Sequence, residues 1–195
     1  MALAQVQAAL ARLYTDEAER AAFLADPQGA ACALGLEADD AATLAAIAPQ
    51  TLRRFANSLK AKSLLDARKM TPLTARVLDG AFAGHFAAAA AGLGPGAGRV
   101  EQAAALAGRL SGLAGARAIA PDWVGDLARY EAAFVEAAHA RRGARLRLFR
   151  YPVGAIAGAL HGGAEDAEFG PKATVALWAR LPGGRLFHHA WPLTR

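Results

Sequence analysis

The side chains best suited to bind a ligand lie near the C-terminal end of the chain, where arginines alternate with apolar and aromatic residues. In a strand over residues 144–151, alternation places Leu146 and Leu148 on one face and Arg145, Arg147, Phe149 and Tyr151 on the other. Arginine and aromatic side chains are favoured at binding hot spots, and an exposed sheet edge can accept an extended acidic peptide. The other interpretation is a polar face that is simply solvated. The predicted peptide-binding residues are Arg145, Arg147, Phe149, Tyr151, Trp178 and Arg180.

Catalytic and metal-binding motifs are missing from the sequence where they would be easiest to see. It has no Gly-x-Ser-x-Gly elbow, no phosphate-binding Gly-x-x-x-x-Gly-Lys loop and no His-Glu-x-x-His zinc helix. His188 and His189 are adjacent, so in a strand they point to opposite faces and cannot chelate one metal together. The other histidines, His85, His139 and His161, are distant in sequence. We therefore predict a chain that is not a catalyst and binds no metal or cofactor of its own.

A basic helix predicted over residues 50–70 offers a second surface. Leu52, Ala56 and Leu59 follow a helical stripe, while most of the lysines and arginines fall elsewhere on the helix. Three interpretations are open: a solvated face, a protein interface and a nucleic-acid contact. Acidic residues are mixed with the basic ones and no aromatic side chains are interleaved for base stacking, so the nucleic-acid interpretation is the least favoured.

Composition narrows the class of protein. The 195 residues are 54% hydrophobic, enough for one ordinary domain or a domain with a small appendage, and a net charge of +5 suits an acidic partner. The single cysteine, Cys32, allows no intrachain disulfide, which favours a reducing compartment, the cytoplasm, and we expect its side chain to be buried. We predict no signal peptide, because residues 1–7 have no basic region and no continuous apolar stretch. We predict no membrane span, because no apolar run approaches roughly 18 residues.

The residues that could bind a ligand must be held by two kinds of element. We predict an α+β protein, with alanine-rich amphipathic helices over residues 1–142 and a small antiparallel sheet over residues 143–195. The glycine-rich segment 92–98 is predicted to be a flexible connector within the helical domain. Predicted helix starts are Thr15-Asp16, Asp26-Pro27 and either Asp39 or Asp40.

The sheet region is less uniform than the helical one. Residues 174–180 and 185–191 flank Pro182-Gly183-Gly184, a pattern typical of a β-hairpin. Residues 153–160 could form a strand, a loop or a helical turn, because glycines at 154 and 158 weaken a strand. The acidic group Glu165, Asp166 and Glu168 is predicted to be a solvated loop.

Several segments resemble one known family. They are Phe55-Ala56-Asn57-Ser58-Leu59 with Lys60 and Lys62, Thr71-Pro72-Leu73-Thr74 followed by Phe82 and Phe86, Asp126-Leu127-Ala128-Arg129-Tyr130-Glu131, and the terminal strand Val175 to Arg180. Together they resemble the MbnC family of methanobactin biosynthesis proteins and related partner subunits of multinuclear non-haem iron oxidative enzymes. The resemblance spans most of the chain.

The resemblance implies a function in making a modified ribosomal peptide. Such a chain forms a heterodimer with an iron-dependent oxidase that modifies cysteines of a precursor peptide. It is not the catalyst, the iron belongs to the oxidase, and the precursor's leader pairs with its sheet as an extended strand. On this view the product is a copper-chelating peptide like methanobactin, and the oxidase-facing residues are Arg54, Lys60 and Lys62.

Two rival functions remain open from the sequence. A DNA-binding regulator would use the basic helix 50–70, and its duplex affinity would fall steeply with added salt. A metal-dependent enzyme would carry stoichiometric iron or zinc when purified alone. From the resemblance, the expected partners are the oxidase and the leader peptide. Neither nucleic acid nor a membrane is expected as a partner.

Overall fold

The structure, a computed structural model, describes residues 2–94, 96–164, 168–181 and 183–193. They belong to two units: the first comprises Met1–Ser63 with Gly94–Gly96, and the second comprises Leu64–Leu93 with Ala97–Arg195. Three parts of the predicted connector and loops lie outside the described residues: Pro95, Glu165-Asp166 and Pro182. None of the described helices combines the length and apolar character needed to cross a membrane.

The first unit is helical, and short polar residues set where its helices begin. Asp16 accepts hydrogen bonds from the backbone nitrogens of Ala18 and Glu19 at 2.8 and 3.0 Å, which confirms the predicted cap. Asp26 caps the next helix in the same way, with Pro27 in its first turn. The elements are α1 (Ala2–Thr15), α2 (Glu17–Ala25), α3 (Pro27–Ala33), α4 (Ala38–Ala45) and the beginning of α5 (Pro49–Met70).

Two predictions for this unit are wrong. The cap of α4 is Glu37, and Asp39 and Asp40 lie in the first turn, where their charges favour the positive end of the helix dipole. Cys32 is exposed, because its neighbour Ala31 occupies the core-facing position of α3 and the next residue is rotated by about 100° around the helix axis.

In the second unit, further helices precede and flank the sheet. The end of α5 is followed by α6 (Pro72–Leu78), a 3₁₀ turn (Asp79–Ala81), α7 (Phe82–Ala90), α8 (Arg99–Gly115), α9 (Val124–His139) and α10 (Val153–His161). The segment left open between strand, loop and helical turn is thus the helix α10, whose Val153, Ile156 and Leu160 are buried at helical spacing.

Helix α9 packs against the sheet and α10, and it is hydrogen-bonded to the start of α6. The carboxylate of its buried Glu131 accepts hydrogen bonds from the backbone nitrogens of Leu73 and Thr74, at 2.8 and 2.9 Å, and so satisfies the first turn of α6. Burial raises the pKa of Glu131, although these hydrogen bonds act in the opposite direction. A buried carboxylate therefore takes the place of a local cap on α6.

The sheet has three antiparallel strands in the order β1 (Gly143–Phe149), β2 (Thr174–Arg180) and β3 (Leu186–Pro192). This confirms the α+β class and the strand pair flanking the predicted turn. The register sets Trp178 opposite Arg145 on one side and opposite His188 on the other. Gly183 and Gly184 both have φ above 80°, the left-handed region that favours glycine, so the connection between β2 and β3 needs them.

The units do not follow the predicted boundary between residues 142 and 143. Helix α9 and the sheet share one core, in which Leu127, Tyr130 and Ala133 pack with Phe149 and Trp178. Because the sheet buries its side chains against a helix of the predicted helical domain, residues 143–195 and α9 belong to the same unit.

Candidate functional site

Three of the predicted peptide-binding residues lie in the core of the second unit. Phe149, Tyr151 and Trp178 are 1%, 4% and 0% exposed. The hydroxyl of Tyr151 donates to Asp122 at 2.8 Å, and burial together with this carboxylate raises the Tyr151 pKa. The assignment of these three as peptide contacts is therefore corrected, because buried side chains cannot touch a peptide on the surface.

These aromatics form a cluster between the sheet and α9. The ring centroid of Trp178 lies 5.5 Å from Tyr130, 5.6 Å from Phe134 and 5.1 Å from His188, mostly in edge-to-face arrangements. Burial raises the pKa of Tyr130 to about 12 and lowers the pKa of His188, to which the neighbouring His189 also contributes. Burial thus favours the neutral forms of both side chains.

The predicted arginines of β1 serve mainly to hold the strand against α9. Arg147 donates to the Glu136 carboxylate at 2.6 Å, and Arg145 lies 3.7 Å from the same oxygen. Arg180 is half-buried on the same face of the sheet. One carboxylate therefore offsets two of the arginines that the sequence assigns to an acidic peptide.

The face of the sheet turned away from α9 is apolar and exposed. Leu146 and Leu148 are 67% and 59% exposed, and Phe187 and Trp191 are 47% and 42% exposed. The register aligns these positions across the three strands. We call this surface the outer face and define it by Leu146, Leu148, Val175, Leu177, Phe187, His189 and Trp191.

The sequence pattern identified the two faces of β1 but not which one is buried. Both faces carry apolar side chains, and the aromatic ones bury more area than leucines do. The face with Phe149 and Trp178 therefore packs on α9, and the leucines point to solvent. A signal was available in Phe187, His189 and Trp191, which alternate on β3 in the same way as the leucines on β1.

The position of β1 at the edge of the sheet is the second feature of the site. Arg129 donates to the carbonyl oxygen of Leu148 on this strand at 3.2 Å. In a three-stranded sheet ordered β1-β2-β3, alternate residues of β1 direct their N–H and C=O groups away from β2. Exposed arginines stand at both ends of this strand, Arg141 and Arg142 before it and Arg150 after it. The carboxylate of Asp126 accepts the backbone nitrogens of Arg150 and Tyr151 at 2.7 and 3.1 Å, which fixes the end of the strand.

The three predicted interface residues of the basic helix α5 do not lie on one face. Lys60 pairs with Glu17 at 2.9 Å, and this hydrogen bond lowers the pKa of Glu17. Arg54 and Lys62 are exposed and lie about 80° apart around α5, whereas Lys60 lies on another side of the helix. The structure thus brings Arg54 and Lys62 to neighbouring faces and turns Lys60 toward α2.

The histidines behave as predicted from their spacing. His188 points into the aromatic cluster and His189 lies on the outer face, with its ring centroid 4.5 Å from that of Trp191. Among the described residues, no three His, Cys, Asp or Glu side chains come together as ligands for a metal ion.

Comparisons with protein-family models, with curated proteins and with solved structures found no match to this chain.

Proposed function

We propose that this chain is a non-catalytic partner subunit that binds an iron-dependent, peptide-modifying oxidase together with the leader of its precursor peptide. The product of the pathway would be a copper-chelating ribosomal peptide of the methanobactin kind, made in the cytoplasm. The observation that carries the proposal is that β1 is an edge strand of the sheet, flanked at both ends by exposed arginines.

An edge strand of this kind suits an extended acidic peptide. The peptide's main chain would pair with the outward N–H and C=O groups of β1, which gives affinity without demanding a particular sequence. Arg142 and Arg150 would attract acidic side chains at the two ends of the peptide, and so set its direction and register. This mode of binding needs none of the buried aromatics.

The nature of the two partners is supported by the family resemblance. Segments on α5, α6, α9 and β2 carry that resemblance, and β2 is the central strand of the sheet proposed to bind the leader. In this assignment the iron and the chemistry belong to the oxidase. Arg54 and Lys62 remain the proposed oxidase contacts on α5, because both are exposed, whereas Lys60 is already paired with Glu17.

The first test is formation of the complex. The chain and the candidate iron oxidase would be expressed together and purified through a tag on one of them. We expect a stable heterodimer and stimulation of cysteine modification in the precursor. Failure of the two proteins to associate would overturn the assignment of the partner.

The second test concerns the edge of β1. Binding of a fluorescent leader peptide would be measured by anisotropy for the R142E/R150E double variant. Each reversal replaces an attraction by a repulsion, so we expect about a tenfold loss of affinity, reduced by added salt. Arg109→Glu, an equally exposed arginine on α8, is the matched control and should retain most of the binding. Equal loss in both variants would contradict an edge site on β1.

A further inference from the structure

The outer face is a second surface of the sheet, distinct from the edge of β1, and it carries exposed apolar side chains. A sheet that packs helices on one side normally buries its other apolar side as well, against a further layer. Here α9 and α10 cover the inner side, while Leu146, Leu148 and Trp191 remain between 42% and 67% exposed. Contiguous exposed apolar surface of this kind marks an interaction site.

The charges around the outer face restrict what can cover it. No acidic residue occurs on any of the three strands. Arg145 and Arg147 lie on the inner face of the sheet, the face turned toward α9, and both already form ion pairs with Glu136. Other basic residues lie near the ends of the strands. The exposed basic residues at the strand ends are Arg141, Arg142, Arg150, Lys172 and Arg185. An occupant with an apolar centre and acidic flanks complements this surface.

The same charges argue against a second copy of the chain. Two sheets packed face to face would bring their basic rims together, and like charges at an interface oppose association. Nucleic acid is also a poor fit, because aliphatic side chains of β1 and β2 occupy half of the surface and offer no base stacking.

The dimensions favour a helix as the occupant. Three strands about 4.8 Å apart present a surface close to the 10–12 Å diameter of one helix with its side chains. Strands of seven residues are about 23 Å long, which corresponds to about 15 residues of helix. A single helix can therefore cover the whole outer face and bury its leucines and aromatics together.

We propose that the outer face binds an amphipathic helix of a partner protein, with an apolar stripe on the sheet and acidic residues on its flanks. Covered in this way, the sheet becomes the middle layer between the helix of the partner and α9 with α10. Phe187 and Trp191 are the aromatic anchors, since large aromatic side chains are enriched among the residues that contribute most to affinity. Helix binding on the outer face leaves the edge of β1 open for the leader.

The protein contains a built-in reporter for this test. Of its three tryptophans, Trp123 and Trp178 are buried and Trp191 is exposed on the outer face. Covering the outer face should therefore shift the fluorescence emission to shorter wavelength by removing Trp191 from water. Synthetic peptides without tryptophan would be titrated into the full chain while this emission and the anisotropy of a peptide label are followed.

Four probes separate the possible occupants. The first is a helix-forming peptide of about 15 residues with leucines at helical spacing and glutamates on its flanks. The second is the same peptide with each glutamate replaced by lysine. The third peptide has the same residues in strict leucine–glutamate alternation, the pattern of a strand. The fourth probe is a single-stranded oligonucleotide. We expect the acidic helix to bind with the Trp191 shift, at least about tenfold more tightly than each other probe.

Matched variants locate the binding. Leu148→Lys should reduce binding of the acidic helix by about tenfold or more, because it replaces an exposed leucine of the outer face by a charge. Leu65→Lys changes a similarly exposed leucine on α5 and should leave binding unchanged. Near-ultraviolet circular dichroism would show that both variants keep the native fold, and sedimentation would report the oligomeric state.

Each other outcome overturns the proposal. Tighter binding of the alternating peptide would assign the surface to an extended segment, and tighter binding of the oligonucleotide to nucleic acid. A dimer that Leu148→Lys converts to monomers would assign it to a second copy, and a failure of the acidic helix to bind would remove the site. None of these results depends on leader binding. Arg142 and Arg150 serve both surfaces, so the variant that separates them is Leu148→Lys, which changes the outer face and keeps both arginines.

Discussion

The two faces of the three-stranded sheet differ in what covers them and in what their side chains do. On the inner face, Trp178 packs against Tyr130 and Phe134, and Arg147 meets Glu136. On the outer face, apolar side chains meet solvent. Residue types that are common at binding hot spots can therefore be structural, because large aromatics are also the side chains that stabilise a small core most. Apolar residues that contribute little to folding remain available for binding.

The largest contrast should come from the two tryptophans of the sheet. Trp178→Ala removes a fully buried ring and should lower the free energy of unfolding by about 3–5 kcal/mol. Trp191→Ala, on the outer face, should change it by less than about 0.5–1 kcal/mol. Urea denaturation followed by far-ultraviolet circular dichroism measures both. Comparable losses in the two variants would mean that the outer face is part of the folding core.

The next contrast concerns the carboxylate that matches the inner-face arginines. Glu136→Gln removes the charge that Arg147 contacts at 2.6 Å and should cost about 1–2 kcal/mol, since Arg147 is only partly buried. Glu101→Gln, on the exposed surface of α8, is the control and should be nearly neutral. If leader affinity rises in Glu136→Gln with stability unchanged, the inner-face arginines bind the peptide after all.

The helices and the strand pair could be predicted from the sequence because their signals are local. Asp16 and the Asp26-Pro27 pair act on backbone groups within their own turn, and Gly183-Gly184 supply backbone angles that the hairpin connection needs. The candidate site could not be predicted in the same way, because the burial of its side chains depends on packing between elements that are distant in the sequence. Which face of β1 is buried is decided by the side chains of α9, and a period of two gives no information about that partner.

The contact between Glu131 and α6 also cannot be predicted from the neighbouring sequence. Glu131 and the nitrogens that it accepts, those of Leu73 and Thr74, are more than fifty residues apart in the sequence, and no capping motif at the start of α6 announces the pairing. The exposure of Cys32 is likewise not predictable from the sequence around it. The alanines beside it can fill the same core position, so the helical phase of α3 was ambiguous.

A smaller effect on stability should come from the buried histidine of β3, His188. The folded-state pKa of His188 lies below its ordinary value because burial disfavours the charged ring. The unfolded chain therefore binds the proton more tightly, and stability should be lost as the pH falls below about 6.5, down to the folded-state pKa. His188→Phe should flatten the pH dependence of the urea midpoint in this range. A urea midpoint whose pH dependence is the same in His188→Phe and in the unchanged protein would contradict the burial of this ring in the aromatic cluster.

The smallest expected effect tests the outer face most directly, because a residue kept for binding should be dispensable for folding. Leu146→Ser removes apolar surface from a side chain that is 67% exposed, so the free energy of unfolding should change by no more than about 0.5 kcal/mol. The same substitution should weaken binding of an acidic helix, since that leucine would lie under it. Leu127→Ser on α9, at 0% exposure, provides the opposite case and should destabilise the fold by about 2–5 kcal/mol. A Leu146→Ser variant that unfolds as readily as Leu127→Ser would show that the outer face is covered within the free protein, and would remove the distinction between the two faces.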